Sequence, residues 1–386
     1  MKVLLLTSRY LPHRGGLETV ISHLAAELIK NNHEVVIGTN RYPRLLPTFD
    51  TIDGVAVRRF SFIEPEWAAL KHLRPDLFAS GLWFKHAATE QLNKWIRGFH
   101  PDVVNLHYLG APAGFLFRTR KKQPFPLVVS LHGGDVTGEP TISRLKMERF
   151  VHTTNAANSI TACSRALASQ AEALNPVITG RIQTIHNAVD CSLFAAASPA
   201  VPGYPFILGV GQLSVHKGFD LLIRGFASLA DQYPKVKLII AGHGDQRESL
   251  ELLAKENGLK ERVVFTGKVD EDTVASLMKG CLFLAVPSRQ EPFGIVALEG
   301  MAAGKIVLAT PVGGIPEFLP VPPNVFVQPD EASWKDALNQ TLSLVLGGQL
   351  EGSSNQGDSA RFSWQNLAEA YMQVYLQAIE DFQNQN

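Results

Sequence analysis

Two glutamates eight positions apart, Glu291 and Glu299, bracket the densest run of chemistry-bearing residues in the chain, EPFGIVALEGMAAGKIVLATPVGGIPE over 291–317. A Pro-Phe-Gly turn separates Glu291 from an apolar stretch of helical period. A helix opening near Phe293–Gly294 leaves the amides of Gly294, Ile295 and Val296 unpaired, and such an end favours an anion such as a phosphate. Glu291 then precedes the helix, where a carboxylate reaches a sugar hydroxyl. Glu299 lies more than a turn inside, where it can accept from ribose hydroxyls. Two glutamates alone would suit an ordinary first-turn Glu and a solvated one, but the whole 27-residue string argues against chance.

Three further positions carry possible chemistry. Lys217 follows the strand-like run FILGVG (206–211) and precedes Gly218, in a loop where a cation can meet a diphosphate. Gly15-Gly16 follows an apolar run and opens a helix-period stretch, so backbone amides can approach an anion closely. The pair falls short of G-x-G-x-x-G, which argues against a dinucleotide oxidoreductase. His132 ends the run PLVVSLH (126–132) and is followed by two glycines and Asp135. A strand's carboxyl edge is where α/β proteins place their crevices. No Asp-x-Asp lies in a suitable loop and no His/Asp cluster has ligand spacing, so no metal is expected.

The elements that must hold these residues follow one rhythm, a short apolar run followed by a helical pattern. VLLLTS (3–8), EVVIGT (34–39), VAVRRF (55–60), DVVNLH (102–107), PLVVSLH (126–132), SITACS (159–164) and RIQTIHN (181–187) form a first series. FILGVG (206–211), KLIIAG (237–242), RVVFTG (262–267), CLFLAV (281–286), KIVLAT (305–310) and NVFVQP (324–329) form a second. Such runs predict parallel sheets covered on both faces. Between the series, SLFAAASPAVPGYP (192–205) lacks charge and is the expected linker. The fold class is therefore α/β, with two doubly wound Rossmann-like domains, 1–191 and 205–362, facing across a cleft. Residues 347–360 are expected to be a flexible polar loop. Ser363 caps a last helix, about 363–386, with an apolar face on Trp364, Leu367, Ala370, Tyr371 and Val374.

Composition narrows the class. Lys and Arg together number 36, as do Asp and Glu, which argues against a general nucleic-acid binder. The balance hides an asymmetry: residues 1–200 hold 22 basic against 15 acidic side chains, and residues 201–386 hold 14 against 21. Three cysteines without a CxxC pair fit a reducing compartment rather than a disulfide framework. No signal peptide and no membrane-spanning run is evident, so a cytoplasmic or peripheral protein at the inner membrane face is expected. Trp67, Phe78, Trp83 and Phe84 interleave with Lys71, His72, Arg74 and Lys85, and Arg118, Arg120, Lys121 and Lys122 add a second basic cluster. They suit either an anionic membrane or lipid-linked acceptor, or a buried aromatic face with a solvated basic one.

The Glu–seven residues–Glu string resembles that of retaining glycosyltransferases of the GT-B fold, in the large family that contains sucrose synthases and bacterial mannosyl- and glucosyltransferases (glycosyltransferase family 4). PHRGGLE (12–18), LHGGD (131–135), GVGQLSVHKGFDLLIRGF (209–226), AGHGD (241–245) and FTGKV (265–269) are similar to its other motifs in order and spacing. The resemblance implies a retaining, metal-independent hexosyltransferase of glycan biosynthesis, with no cofactor beyond a nucleoside-diphosphate sugar, UDP first and GDP second. It implies His132, Glu291 and Lys217 as catalytic residues. Gly15, Gly16, Gln212, Lys217, Lys268, Gly294, Ile295, Val296 and Glu299 would bind the donor. The acceptor is a hydroxyl on a glycan, a lipid-linked sugar or a small molecule. A sucrose-synthase- or phosphorylase-like enzyme, or a non-catalytic nucleotide-sugar-binding protein, fits the same fold. At Gly211-Gln212-Leu213 the family usually has Gly-Arg-Leu, so the full charge and bidentate fork of Arg are missing. Arg14 and Arg289 are the candidates to compensate. At HNAVD (186–190) the family usually reads Pro-Asn-Gly-Val-Asp.

Overall fold

The computed structural model describes residues 1–13, 15–63, 75–138, 143–350, 352 and 355–385, with residues 75–80 by backbone alone. It divides into two units, Met1–His186 with Trp364–Asn386, and Asn187–Ser363.

The first unit is built on eight strands: β1 (Lys2–Thr7), β2 (Glu34–Asn40), β3 (Phe49–Ile52), β4 (Val55–Phe60), β5 (Val103–His107), β6 (Leu127–Leu131), β7 (Ser159–Ala162) and β8 (Ile182–Thr184). They lie in the order β3-β4-β2-β1-β5-β6-β7-β8. β1 pairs in parallel with both β2 and β5, Leu5 meeting Ile37 on one side and Asn105 on the other. Every residue of β5 and β6 is buried, as expected of strands covered on both faces. The chain runs outward from β1 through β4, then returns to lay β5 on β1's other side. That reversal makes the carboxyl ends of β1 and β5 the place where loops part. A Cβ at Gly110, just beyond β5, would overlap Ser8 Oγ just beyond β1, so a larger residue where these loops meet would make the serine side chain turn away.

The second unit repeats the plan with β9 (Phe206–Val210), β10 (Lys237–Ala241), β11 (Val263–Gly267), β12 (Leu284–Val286), β13 (Val307–Ala309) and β14 (Val325–Phe326). Their order is β11-β10-β9-β12-β13-β14, with parallel pairing throughout. Direction reverses between β9 and β12. The core beneath is apolar, with Ile207, Phe226, Ile240, Phe283, Trp334 and Leu338 buried. Among the described residues no helix is long and apolar enough to cross a membrane.

Three expectations need correction. The linker is not at 192–205: the units divide after His186, and Cys191–Ala196 is a helix. Asp190 caps it by accepting from the amides of Ser192 and Leu193, and Phe194 is buried, so an uncharged Ala-rich stretch is anchored at its start. Residues 347–360 are not a plain loop either. The helix Asn355–Ser359 lies there because Asn355 is wholly buried, donating to Lys305 O at 2.7 Å and exchanging hydrogen bonds with Asn324. The polarity of that stretch thus belongs partly to an interior network. Finally, β3 pairs antiparallel with β4 through Asp53-Gly54, both at positive φ, a hairpin turn that Asp-Gly itself signals.

The last helix, Trp364–Gln385, clusters with the first unit. Trp364 stacks on His23 with ring centroids 4.3 Å apart, and Tyr375 Oη donates to Asn105 Oδ1 at 2.8 Å inside the sheet. Asn105 in turn donates to Ser130 Oγ, which also accepts from Thr161 Oγ1, so three adjacent strands share one buried network. Tyr375→Phe removes this hydrogen bond from the buried Asn105 Oδ1 and should cost about 1–3 kcal/mol. Calorimetry should show a lower unfolding midpoint, while Leu376→Ala, at a half-exposed position of the same helix, should leave it unchanged.

Candidate functional site

In the second unit the loops leaving β9 and β12 flank the reversal, and they touch. Lys217, in the loop after β9, places Nζ 2.5 Å from Glu291 Oε2, in the loop after β12. Ser288 Oγ donates to the same carboxylate oxygen at 3.2 Å. The Lys217 side chain is 25% exposed and that of Glu291 10%, so water screens this pair less than a surface one. The stem of Lys217 runs beside Gly211, which has a φ of 155°.

Glycines let the surrounding backbones approach. Gly218 has φ 67°, and a Cβ there would overlap Pro287 O; Gly313 has φ 56°, and a Cβ there would overlap Glu291 O. Gly294 at φ 104° is the N-cap of the helix Ile295–Ala302. The amides of Ala297 and Leu298 return to Gly294 O, which leaves those of Ile295 and Val296 ahead of the helical ladder. Glu299 follows one turn later. It is only partly shielded from solvent contact but densely surrounded by protein, and its carboxyl is pushed up to about 8. Burial is the main cause, repulsion from Glu271 adds to it, and Lys217 opposes it.

The compensating cation expected at Arg289 is already engaged. Its guanidinium grips Asp220 through both terminal nitrogens at 2.7 Å and reaches Val215 O at 3.1 Å. The Asp220 carboxyl is held below its usual range chiefly by that hydrogen-bonded arginine. Arg289 therefore fixes the 215–220 segment, with its charge neutralised by Asp220. Arg14 lies outside the described residues. Gln212 is exposed just beyond β9, and Lys268 is exposed just beyond β11.

The first unit holds the other predicted residues. Gly15 is the N-cap of the helix Gly16–Lys30 and offers no side chain to its amides. The carboxylate of buried Glu18 occupies that end instead, hydrogen-bonded to its own amide with His13 3.8 Å away. Burial raises its pKa. The anion that the Gly15-Gly16 loop was expected to attract is thus met, in this state, by an internal carboxylate.

His132 stands immediately after β6. Its amide and that of Gly133 donate to Asp135, which is fully buried and pushed up to about 6 by burial despite those amides. The His132 imidazole lies 3.0 Å, Nε2 to Nδ1, from His107 at the end of β5. Burial holds His132 down to about 4 and His107 well below its usual range.

The structure thus joins Lys217 to Glu291 and sets both beside the first turn before Glu299. Gly15, Gly16 and His132 belong to the other unit. Four contributors escaped the sequence: His107, Ser288, Asp220 and Glu271. His107 carried the same signal as His132, a histidine closing a buried strand. The Arg289–Asp220 pair spans 69 positions, and no local pattern announces it. Of the aromatic and basic stretch, Trp67, Lys71, His72, Arg74 and the Phe78 side chain fall outside the description. Trp83 is exposed, whereas Arg120 is tied to Phe125 O and Asn158, and Lys122 to Glu90. The second basic cluster is therefore partly structural.

Residues 14–193 match the family described as Glycosyltransferase Family 4, and residues 193–347 that described as Glycosyl transferases group 1. The chain is a GT-B protein of the glycosyltransferase-4-like kind. This glycosyltransferase is 29% identical to an uncharacterized glycosyltransferase of Methanocaldococcus jannaschii, over 98% of this chain and 99% of that one. It shares its fold with sucrose-phosphate synthase from Thermosynechococcus elongatus, at a TM-score of 0.80 and 20% identity, over 97% and 98% of the two chains. HepE of Anabaena, solved in complex with UDP-glucose, superposes with a TM-score of 0.75 at 21% identity, over 97% and 99%.

Two predictions follow from this geometry. With Glu299 raised to about 8, the folded protein binds more protons than the unfolded chain from the ordinary carboxyl range up to that value. Its contribution to stability is therefore lost as pH rises across that window. Glu299→Gln should match the wild-type melting temperature near pH 4 and exceed it by a widening margin up to pH 9. Gly313→Ala forces a methyl onto Glu291 O and should lower activity at least tenfold, with Glu291 displaced from Lys217 in a crystal structure of the variant.

Proposed function

We propose that this glycosyltransferase retains anomeric configuration as it moves a hexosyl group from a nucleoside-diphosphate sugar to a hydroxyl acceptor. The observation that carries the reading is the Lys217–Glu291 pair at the strand reversal, beside the open first turn of the helix Ile295–Ala302.

A diphosphate leaving group needs positive potential where negative charge develops in the transition state. Lys217 supplies one cation, and the amides of Ile295 and Val296 supply dipoles at a helix start. Glu291 holds the ammonium in place before substrate arrives and can accept from a sugar hydroxyl with its other oxygen. Glu299 accepts from the ribose hydroxyls. His132 donates to a hydroxyl of the transferred sugar rather than deprotonating the acceptor, since burial keeps its imidazole neutral and weakly basic. Gln212, Lys268, Gly15 and Gly16 are secondary donor contacts in this scheme. Uridine is placed first among bases, in line with the UDP-glucose bound by HepE. The retaining outcome follows from the family resemblance, and the acceptor is a glycan, a lipid-linked sugar or a small molecule.

Donor binding and turnover separate the roles. A hydrogen bond to a charged partner is worth about 1.5–3 kcal/mol, or about 10- to 100-fold. Glu299→Ala should weaken UDP binding by that factor in calorimetric titration at pH 9, where the carboxyl is ionised, and by less at neutral pH, whereas Glu291→Ala should lower kcat at least as much as affinity. Unchanged UDP affinity in Glu299→Ala would remove the ribose assignment. Because Arg289 is neutralised by Asp220, Gln212→Arg should strengthen UDP binding by about tenfold, and weaker binding would mean another cation already fills that space.

A further inference from the structure

We infer that His107 is a positioning residue that fixes the tautomer of His132. This rests on the reading that His132 meets the transferred sugar.

His107 closes β5 and His132 follows β6, the neighbouring strand in the sheet. Parallel pairing sets His107 opposite Ser130, so the two imidazoles stand side by side at one sheet edge. Their rings lie 5.2 Å apart, inclined by 28°, with His107 Nδ1 3.0 Å from His132 Nε2. Two nitrogens at that distance share one proton. The other nitrogen of His107 decides which ring supplies it. His107 is wholly buried, and its Nε2 has no hydrogen-bond partner among the described residues. A proton on that Nε2 would be a buried donor without an acceptor, which costs more than an unused lone pair. The proton therefore sits on His107 Nδ1 and is donated to His132 Nε2.

The consequence passes to His132. With Nε2 accepting, its own proton must be carried on Nδ1, the minor tautomer of a free neutral imidazole. His132 is thereby held as a hydrogen-bond donor through Nδ1, the role a sugar hydroxyl acceptor requires. Burial keeps both rings neutral, so the arrangement does not dissolve into an imidazolium pair.

The last helix also packs against His107. Tyr371 lies with its ring 5.8 Å from that of His107, and its hydroxyl is bonded to Ser130 and Thr161. The chain's final helix thus backs a residue that orients His132.

Two-bond nitrogen–proton spectra of protein labelled in the histidine rings read the tautomer directly, with the His132 signal assigned by its loss in His132→Gln. In the wild type His132 should carry its proton on Nδ1. His107→Phe should return it to the Nε2–H form and lower kcat about 100-fold, with KM for the nucleotide sugar within about twofold. His107→Asn keeps an N–H donor at the place of Nδ1 and should restore both the Nδ1–H form and most of kcat. A wild-type His132 protonated on Nε2 overturns the inference, as does a loss of kcat in His107→Phe without a change of tautomer. If His107→Phe does not fold, the wild-type spectrum alone decides. Normal transfer by His132→Ala overturns the underlying reading of His132, whatever the spectrum shows.

Discussion

A reversal of strand order governs this molecule. In a parallel sheet, each connection must climb back over a face, so neighbouring loops at the carboxyl edge normally leave in the same sense. Only where the chain changes direction do two loops part and open a crevice. In the second unit that place lies between β9 and β12, and the loops leaving those strands carry Lys217 and Glu291. In the first unit it lies between β1 and β5, whose loops carry Gly15-Gly16 and begin at His107. The same constraint, applied twice, selects the few positions where polar chemistry can stand on an otherwise apolar sheet.

Holding charged groups there requires close backbone approach and little freedom. Gly218 and Gly313 meet that need because carbonyl oxygens fill the space a Cβ would take. Arg289 and Asp220 neutralise each other while bracing the segment that carries Lys217. In the first unit Glu18 fills the start of its own helix, and Asp135 anchors the turn after β6 through two amides. These groups do for the loops what the apolar core does for the strands: each leaves one arrangement in which its polar atoms are satisfied.

Much of this was legible in the residues. Each apolar run quoted from the sequence coincides or overlaps with a strand, its ends displaced by at most a few residues, because strands buried on both faces, such as β5 and β6, leave an unbroken apolar signal. The Glu291–Glu299 string announced its helix and its glycine turn. Less legible were features set by distant partners. The Ala-rich stretch near 192–205 had a linker's composition, yet Asp190 caps a helix there and Phe194 anchors it. Asn355 looked like loop polarity until Asn324, 31 positions away, gave it a buried partner. Arg289 offered a free charge that Asp220 had already taken. His107 was within reach of the rule that singled out His132, but its importance lies in a contact across strands.

The central claim is that the β9–β12 reversal of the second unit holds the donor diphosphate, and a crystal structure of the full chain soaked with UDP tests it most directly. The account predicts phosphate oxygens within hydrogen-bond distance of Lys217 Nζ and of the amides of Ile295 and Val296, with the ribose on Glu299. A diphosphate bound at the Gly15-Gly16 loop alone, or a ribose turned away from Glu299, would contradict it.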